Sequence, residues 1–500
     1  MTENSEQTVI IGSGIGGLMS ACILAKEGYS VCVLERHVKP GGCLQTFARG
    51  SSIFDVGVHY IGGLHEGQVL RRIFEYLGIM KYLEVKYLDQ DCFDKICFSG
   101  DSMEFRYQVG MENYAGRLVS MFPEERDSIR KYISKLNEVA DSVDLYNLRE
   151  TDGIGFNPDY IGVSASAYIE SLTSDRRLQL ALGGMNSLYG GLRDKSHLYM
   201  HSLVSKHFID GPCRLIGGGG QLVSAFVSEI KNSGGEVFLN TSCSGLHSDE
   251  NGISEAVTSD GRSFRGKNYI SNLHPAVTLA MTDSGFIRRV YRDRINSLPN
   301  TTSVFTVYAE LNSDSFEYLN YNYYCSLQDD IWTAASAETE NWPAGFMMLT
   351  PPSSISQSHA DTAILMTYMS FSDVKKWEST VSGNRGEDYL DFKRRKSAIL
   401  IEKAEKSFPG FKSKIKKYYT SSPLTYRDYT GTPNGSMYGV IRDHSSPLNS
   451  FIHPKTRIPN LYLAGQNNNL HGILGVTLTA LMLCGDIMGI NNLIRKINNA

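Results

Sequence analysis

The sequence predicts an α/β fold whose first unit is a buried strand, a glycine turn, a helix and a second parallel strand. Residues 9–11 form a short β-branched run, and residues 12–17 fit the pattern G-x-G-x-x-G. A second apolar run, residues 29–34, ends at Glu35. Between the two runs, apolar residues recur at helical spacing, namely Ile15, Leu18, Met19, Cys22 and Ala25. This order of elements predicts a Rossmann-like nucleotide-binding unit.

Each part of this unit has a physical role in binding a dinucleotide. Gly12 permits a tight turn, Gly14 lets the backbone approach a pyrophosphate, and Gly17 lets the helix pack close to the strand. The helix N-terminus offers free N–H groups and partial positive charge, and Glu35 can accept hydrogen bonds from ribose hydroxyls. A glycine turn without a ligand is the alternative. The acid at the end of the following strand favours the nucleotide site.

The composition bounds the class of protein. Five hundred residues with 41% hydrophobic content are enough for a large core, which we expect to be divided into two domains. The formal net charge of −4 gives no basic field for nucleic acid. The nine cysteines are odd in number and contain no C-x-x-C, which predicts a reducing, cytoplasmic location and no metal site. Residues 1–7 are polar and lack the features of a signal peptide.

Residues 472–490 are long enough for a membrane span, so two structures compete for them. The stretch contains Thr477, Thr479 and Asp486 and has internal glycines. Its apolar side chains form a stripe at helical spacing, made of Val476, Ala480, Leu483, Cys484 and Ile487. We therefore predict a buried helix of a globular domain rather than a transmembrane helix.

Two further groups of apolar side chains can be interpreted either as the wall of a ligand site or as ordinary core packing. For a helical stripe after Pro123 we favour the core, and its members are Ile129, Tyr132, Ile133, Leu136, Val139 and Val143. An aromatic group could line an apolar ligand site, although such groups more often pack against other side chains. Its members are Tyr318, Tyr321, Tyr323, Tyr324 and Trp332.

A second glycine pair follows Glu35, in the segment Pro40-Gly41-Gly42-Cys43, and residues 54–63 then read FDVGVHYIGG. With these motifs the chain resembles the FAD-dependent amine oxidase and phytoene desaturase superfamily, where such a pair lies beside the flavin pyrophosphate. GGC..TF followed by FDVGVHYIGG is most similar to the retinol saturase and carotenoid isomerase branch. Phytoene desaturases usually have proline after D-x-G, so His59 and Tyr60 favour the retinol saturase side.

The C-terminal part carries the same resemblance. Residues 461–466 read as a strand that ends in Gly465-Gln466, and residues 472–477 open the apolar helix. The resemblance implies that this strand end meets the ribityl chain and that the helix N-terminus faces the isoalloxazine ring. Most superfamily members have aspartate where Gln466 stands, and retinol saturases are similar to this chain in that respect.

The resemblance implies a Rossmann-like FAD-binding domain of the amine oxidase and phytoene desaturase type, with a discontinuous mixed α+β substrate domain. We expect the FAD domain to comprise residues 1–100, 205–295 and 425–500, and the substrate domain residues 101–204 and 296–424. Residues 236–243 should form a strand past the adenine end. The implied cofactor-binding residues are Gly12, Ser13, Gly14, Ile15, Gly16, Gly17, Glu35, Arg36, Gly41, Gly42, Cys43, His59, Ser242, Cys243, Asn272, Gly465, Gln466, Gly475, Val476 and Thr477.

The source of electrons stays open in the sequence. The glycine run at residues 217–220 does not fit the dinucleotide template, since Leu222 stands three positions after Gly219 and Val223 three after Gly220. The chain has no other clear NAD(P) fingerprint. NAD(P)H would therefore bind transiently at the flavin face, or a separate electron donor would supply the electrons.

The resemblance implies an FAD-dependent oxidoreductase that acts on C=C or C–C bonds of a hydrophobic polyene or isoprenoid-like lipid. A retinol saturase-like reduction, with hydride transfer through flavin N5, is the first interpretation. A redox-neutral carotenoid cis–trans isomerase and a phytoene-type desaturase are alternatives with the same fold. A non-catalytic carrier of prenyl lipids is a remote alternative, because such a carrier has no need for the complete glycine and Glu35 set.

Saturation also needs a proton on the neighbouring carbon. The candidate donors are His59, Tyr60 and His471, with solvent as a further source. For His59 a structural role in the flavin loop is an equal alternative. We expect a hydrophobic small-molecule substrate and a cytoplasmic protein with a possible peripheral membrane contact, although no segment reads as a basic amphipathic helix.

Overall fold

The computed structural model describes residues 7–98, 104–151, 158–336, 342–352 and 358–500. Within them the strands are β1 Thr8–Ile11, β2 Val31–Leu34, β3 Thr46–Arg49, β4 Ser52–Asp55, β5 Ile61–Gly62, β6 Val85–Tyr87, β7 Asp94–Phe98, β8 Glu104–Tyr107, β9 Pro212–Leu215, β10 Glu236–Phe238, β11 Cys243–Asp249, β12 Gly252–Thr258, β13 Ser263–Phe264, β14 Asn268–Ser271, β15 Ser303–Leu311, β16 Asn322–Ser326, β17 Gly345–Leu349, β18 Thr362–Met369, β19 Ile415–Ser421 and β20 Leu461–Leu463.

The α-helices of the described residues are α1 Ile15–Lys26, α2 Val69–Leu77, α3 Met111–Met121, α4 Arg126–Asp141, α5 Ala165–Leu172, α6 Arg176–Gly183, α7 Leu198–Ile209, α8 Gly220–Asn232, α9 Pro275–Ala280, α10 Arg289–Ser297, α11 Glu387–Ser407, α12 Phe411–Lys414, α13 Pro423–Thr430, α14 Pro447–Ser450, α15 Gly472–Met488 and α16 Ile490–Asn498.

A parallel sheet carries the predicted nucleotide unit. Its strand order is β10-β2-β1-β14-β20, and every pair is parallel. The strand order reverses between β1 and β14, and ligands of open α/β sheets bind outside the carboxyl ends of strands at such a point. The predicted Rossmann-like α/β fold is therefore confirmed.

Helices α1, α8 and α15 pack with this sheet, and α1 contacts both of the others. Almost all of α15 is buried within the protein, as the sequence predicts. No single helix of the described ranges is both long and apolar enough to span a membrane, and only α15 with α16, bent by 120°, pass that test as a pair.

The second large sheet has the order β19-β15-β18-β17-β16-β7-β8. It is antiparallel except between β16 and β7, where Asn322 lies beside Asp94 in the register. β7 lies within residues 1–100, which we assigned to the FAD domain, yet it pairs in this other sheet. The boundary at residue 100 itself lies outside the described residues, and the division into domains stays a prediction.

Two local expectations have different outcomes. The stripe along α4 is core as favoured, with Ile129, Tyr132 and Leu136 fully buried. The single strand expected at residues 236–243 is wrong: β10 ends at Phe238, and β11 begins in another sheet. Asn240 has φ +51° between them, a left-handed conformation that asparagine tolerates better than most residues.

Candidate functional site

The glycine turn has the close packing that the sequence predicts. Gly12 has φ +91°, and a Cβ atom on Gly17 would overlap the carbonyl oxygen of Gly12. Helix α1 therefore approaches β1 at a distance that only glycine allows. Gly14 caps this helix, and none of the described side chains bonds to the cap. The N–H groups of the first turn are therefore available for an anion, which makes the start of α1 a candidate pyrophosphate site.

Ser13 joins three of the predicted cofactor segments. Its backbone N–H donates to Glu35 Oε2 at 3.0 Å, and its hydroxyl donates to the same oxygen. The backbone N–H of Gly41 donates to Ser13 Oγ at 3.0 Å. The glycine pair is close enough that a Cβ on Gly42 would lie 3.2 Å from the Gly14 Cα. The turn, the acid and the second glycine pair therefore form one cradle.

The far end of the cradle includes a residue that sequence reasoning missed. The backbone N–H of Thr241 donates to the carbonyl oxygen of Glu35 at 2.7 Å, which ties the turn after β10 to the end of β2. Ser242 and Cys243 follow at the start of β11. Arg36 points away, since its guanidinium donates to the carbonyl oxygen of Asp428 at 2.8 Å. Asparagine at position 240, a residue that favours turns, was the sequence signal that could have placed Thr241 in a turn beside Glu35.

Asn272 and Gly465 close the cradle at the ends of β14 and β20. A Cβ atom on Gly16 would lie 2.7 Å from the backbone nitrogen of Gly465, and one on Gly14 would meet the Asn272 amide. Three strand ends from distant parts of the chain thus meet at the glycine turn. Gln466 follows, and its side-chain amide donates to the Met437 carbonyl at 3.3 Å.

The cradle leads into a cavity of about 220 Å³. A Cβ on Gly57 would lie 3.3 Å from the Cys43 Cβ, so the glycine-pair loop contacts the start of the cavity wall. The wall brings together His59, Tyr60, His471 and Gly475, which the sequence placed in one site. Most of the other lining side chains are apolar, including Val304, Phe346, Met347, Met366, Phe208 and Leu470.

His59 is the clearest unsatisfied group in this wall. Both ring nitrogens are buried and have no hydrogen-bond partner within the described part of the chain. Burial, with a smaller effect of the Arg214 charge, lowers the pKa of His59 to about 4. The imidazole is therefore neutral at pH 7, which weakens it as a proton donor and leaves it available to bond a ligand.

His471 precedes α15 at the same cavity. Its Nε2 lies 3.3 Å from the carbonyl oxygen of Leu188, and burial lowers the pKa of this imidazole to about 4. In the first turns of α15, Val476 is buried, and the buried Thr477 hydroxyl lacks a partner in the described ranges. The N-terminal end of this helix thus presents polar groups to the site.

Tyr60 belongs to a buried hydrogen-bond chain. Its hydroxyl lies 2.7 Å from that of Tyr324 and donates to Asp94 Oδ2 at 3.2 Å. The Asn322 amide donates to Asp94 Oδ1 at 2.7 Å and accepts from Arg214 at 2.8 Å. Burial raises the pKa of Asp94 to about 7. Only Tyr324 of the five aromatics considered above lines the cavity.

The glycine run at residues 217–220 has a packing role. The backbone N–H of Gly219 donates to Asp55 Oδ1 at 2.7 Å, and a Cβ on Gly218 would overlap the same carboxylate. The run therefore holds the start of α8 against β4, as expected for a segment that fails the nucleotide template. Within the described ranges, no group of three His, Cys, Asp or Glu side chains is arranged to hold a metal ion.

Comparison with known proteins finds relatives that match almost the whole chain. The chain is 27% identical to all-trans-retinol 13,14-reductase of Danio rerio, over 97% of its own length and 86% of that protein's length. It is 23% identical to chloroplastic prolycopene isomerase of Arabidopsis thaliana, over 93% and 79% of the two lengths. The resemblance to the retinol saturase and carotenoid isomerase branch that the sequence predicts is thus confirmed by two relatives that match almost the whole chain. These relatives support the predicted class of protein, an oxidoreductase enzyme.

Domain and structure comparisons agree with the predicted fold. Residues 10–77 match the NAD(P)-binding Rossmann-like domain. The fold is similar to an oxidoreductase from Methanosarcina mazei, at 15% identity with a TM-score of 0.65, over 95% of this chain and 99% of that one. It is also similar to putrescine oxidase with bound putrescine, at 13% identity with a TM-score of 0.62, over 97% and 99%. The chain thus has the fold of these two structures, as the sequence predicts.

Proposed function

We propose that the chain is an FAD-dependent oxidoreductase that reduces a carbon–carbon double bond of a hydrophobic polyene, as its relative all-trans-retinol 13,14-reductase is named for doing. One observation carries the proposal: the dinucleotide cradle opens directly into a largely apolar cavity. The contact between Cys43 and Gly57 joins the two. A cofactor long enough to lie along both would present its redox-active end to an apolar substrate.

The residues present fit FAD. The buried Glu35 carboxylate suits the ribose, the uncapped start of α1 suits the pyrophosphate, and the glycine pair allows close approach of backbone. At the other end, the unpartnered ring nitrogens of His59 and the Thr477 hydroxyl offer hydrogen bonds to a polar ring system. When bound there, a flavin would supply two-electron hydride chemistry.

The chain's own residues then bind, orient and protect the substrate. The apolar wall removes water from a polyene and favours its burial by the hydrophobic effect. At about 30 Å³ per water, the cavity has room for roughly seven waters, which is enough space for a segment of an extended ligand. The N-terminus of α15, capped by His471 without a side-chain bond from the described residues, favours negative charge at this end of the cavity.

The same cavity suits a redox-neutral isomerase. This is the second candidate function, because one relative is a prolycopene isomerase. Reduction differs from isomerisation in needing a net proton at the substrate. Tyr324 lines the cavity, and its hydroxyl is connected through Tyr60 to the buried carboxyl of Asp94. This row of hydrogen-bonded groups can supply a proton, which favours reduction over isomerisation. A desaturase would use the same groups in the reverse direction.

We further propose that electrons come from a separate donor or from NAD(P)H bound transiently at the flavin face. A polyene dissolves in lipid, so the protein would collect it at a membrane surface. In a liposome flotation assay, we expect part of the protein to float with vesicles loaded with polyene. Protein that stays entirely in the lower fractions, with and without the polyene, would contradict the membrane contact.

Product mass tests the proposed function. The FAD-loaded protein would be incubated without oxygen with all-trans-retinol and a panel of carotenoids, with dithionite as reductant. We expect a product that is heavier by two hydrogens and has a shorter chromophore. An unchanged mass with altered geometry would establish the isomerase. A polyene that binds but is recovered unchanged from every incubation would overturn an enzymatic role on polyenes.

A further inference from the structure

We propose that Asp94, Tyr60 and Tyr324 form a buried relay that delivers the proton to the substrate carbon when the double bond is reduced. The inference rests on the proposed function and goes beyond it, because it assigns a proton source to residues of both sheets. In this relay Tyr324 donates the proton to the substrate, and the buried Asp94 carboxyl is the proton source.

The geometry gives a continuous path. The Tyr324 and Tyr60 hydroxyls lie 2.7 Å apart, and either oxygen can donate to the other. The Tyr60 hydroxyl is 3.2 Å from Asp94 Oδ2. Tyr60 and Tyr324 line the cavity, whereas Asp94 is almost fully buried behind them. The carboxyl can therefore exchange a proton with the cavity through two hydroxyls.

The protonated state of Asp94 follows from its neighbours. Burial raises the pKa of Asp94 to about 7, and hydrogen bonds from Asn322 and Tyr60 oppose that rise only in part. The Arg214 charge also lowers the pKa of Asp94, by less than these hydrogen bonds, and its guanidinium is joined to the carboxyl by the Asn322 amide, which accepts from the guanidinium and donates to the carboxyl. Burial, and to a smaller extent the nearby Asp94, raises the pKa of Tyr324, Tyr107 and Cys92, so these neighbours are neutral near pH 7.

The proton would reach the substrate by a concerted shift of three protons along the relay. The Tyr324 O–H bond breaks as a C–H bond forms on the substrate carbon, while the Tyr60 proton passes to Tyr324 and the Asp94 proton passes to Tyr60. Both tyrosines end neutral and Asp94 ends as a carboxylate. This avoids a buried tyrosinate, whose formation burial strongly disfavours because it raises the pKa of both phenols.

The reaction balances with the reductant of the proposed function. A two-electron-reduced flavin, when bound, would supply the hydride for the neighbouring carbon, and the relay supplies the single proton. After the product leaves, solvent in the open cavity returns a proton to Asp94 along the same hydroxyls. An isomerase needs no net proton and would leave the relay unused.

Three substitutions remove the relay one group at a time: Asp94→Asn, Tyr60→Phe and Tyr324→Phe. In single turnovers of the reduced, flavin-loaded protein with retinol, we expect Asp94→Asn and Tyr324→Phe to slow double-bond reduction by about 10²-fold, as for loss of a general acid. The wild-type rate should fall as the pH rises through about 7, because Asp94 must be protonated. The Asp94→Asn rate should be independent of pH in this range.

Matched controls separate this role from general damage. Asp55→Asn changes another buried carboxyl, whose pKa burial also raises to about 7, but which bonds to Gly219. Tyr132→Phe removes a buried hydroxyl bonded to His201 and Leu182. Both controls should keep the wild-type rate and pH profile.

Two readouts do not depend on rate. The infrared difference spectrum between the flavin-loaded wild type and Asp94→Asn should contain a protonated carboxyl band that disappears near pH 7, because the band of Asp55 is common to both proteins and cancels. In D2O, the wild-type product should carry one solvent deuteron on a single face of the protonated carbon, and Tyr324→Phe should lose that selectivity.

The outcomes are distinguishable. Wild-type reduction with unchanged rate, pH profile and stereochemistry in Asp94→Asn and Tyr324→Phe would overturn the relay and leave the saturase standing. Variants that lose polyene binding and keep the wild-type pH profile would assign these residues to structure and also overturn it. No reduction of any polyene by the wild type would overturn the proposed function and the relay's role within it.

Discussion

Glu35 shows how a binding group is fixed in position by its neighbours. Both backbone and hydroxyl of Ser13 donate to one carboxylate oxygen, and the His37 backbone N–H donates to the other at 2.8 Å. A carboxylate can accept about four hydrogen bonds, so capacity for a ribose hydroxyl is left. The side chain therefore needs little reorganisation when the cofactor binds.

Replacing Glu35 tests this role at the scale of one residue. Glu35→Gln keeps the shape but removes the charge, and a charge-assisted hydrogen bond is worth about 1.5–3 kcal/mol. We expect FAD to bind about 10- to 100-fold more weakly, measured by flavin fluorescence during titration of the apoprotein. Glu75→Gln, which alters only an exposed pair with Arg71, is the control. Equal affinities in both variants would contradict the assignment of Glu35.

His59 and Tyr60 are adjacent in sequence and differ in chemistry. Burial keeps His59 neutral, whereas Tyr60 is connected to a carboxyl whose pKa is raised to about 7. The sequence placed both residues at the site through the FDVGVHYIGG motif. It could not rank them, because Asp94 and Tyr324 lie 34 and 264 positions from Tyr60.

At the scale of elements, the contact between α1 and β1 depends on Gly17. Gly17→Ala would force a Cβ into the Gly12 carbonyl, and overpacking of this kind costs about 1–3 kcal/mol. We expect a lower free energy of unfolding in urea and weaker FAD binding, since the turn must move. Gly116→Ala is the matched control, because that glycine lies in α3 with open space around it.

The control should change stability in the opposite direction. Alanine in an open helical position stabilises by about 1 kcal/mol relative to glycine. If Gly17→Ala is as stable as the wild type and binds FAD equally well, the close approach of α1 to β1 is not required.

The elements that the sequence predicts well are those with local signals. The turn before α1 and the buried α15 follow from glycine spacing and apolar periodicity within a few residues. The strand expected at residues 236–243 failed because one turn residue, Asn240, ends β10 and sends the chain into another sheet. Local apolar character does not reveal which sheet a strand joins.

At the scale of the whole molecule, the site is assembled from strand ends that are far apart in sequence. Ser13, Asn272 and Gly465 meet at the end of one sheet, while Asp94 and Tyr324 come from adjacent strands of another. The family resemblance predicted the first group, since its motifs are conspicuous. The second group has no local motif, because its spacing is set only by the pairing of β7 with β16.

The protein as a whole should lose stability in acid. Burial lowers the pKa of five histidines to about 3 or 4, namely His59, His197, His201, His207 and His471. Between about pH 6.5 and 4 the unfolded chain protonates these imidazoles and the folded chain does not. The free energy of unfolding therefore decreases as the pH is lowered through this range. Asp55 and Asp94 act in the opposite direction below pH 7, but they are fewer.

Thermal unfolding followed by circular dichroism would measure this dependence. We expect the Tm to fall steadily from pH 7 to pH 4.5, and less steeply in His201→Gln, which lacks one of the five imidazoles. A Tm that is constant or rises towards pH 4.5 would contradict the burial of these residues in the neutral form.

The most direct test of the account is an anaerobic half-reaction of the photoreduced, FAD-loaded protein with all-trans-retinol. Flavin and polyene absorbance would be followed together in a stopped-flow instrument. The account predicts that the flavin reoxidises at the same rate as the polyene chromophore shortens. A flavin that stays reduced while the polyene is unchanged, or changes only its geometry, would contradict reduction of the double bond by this enzyme.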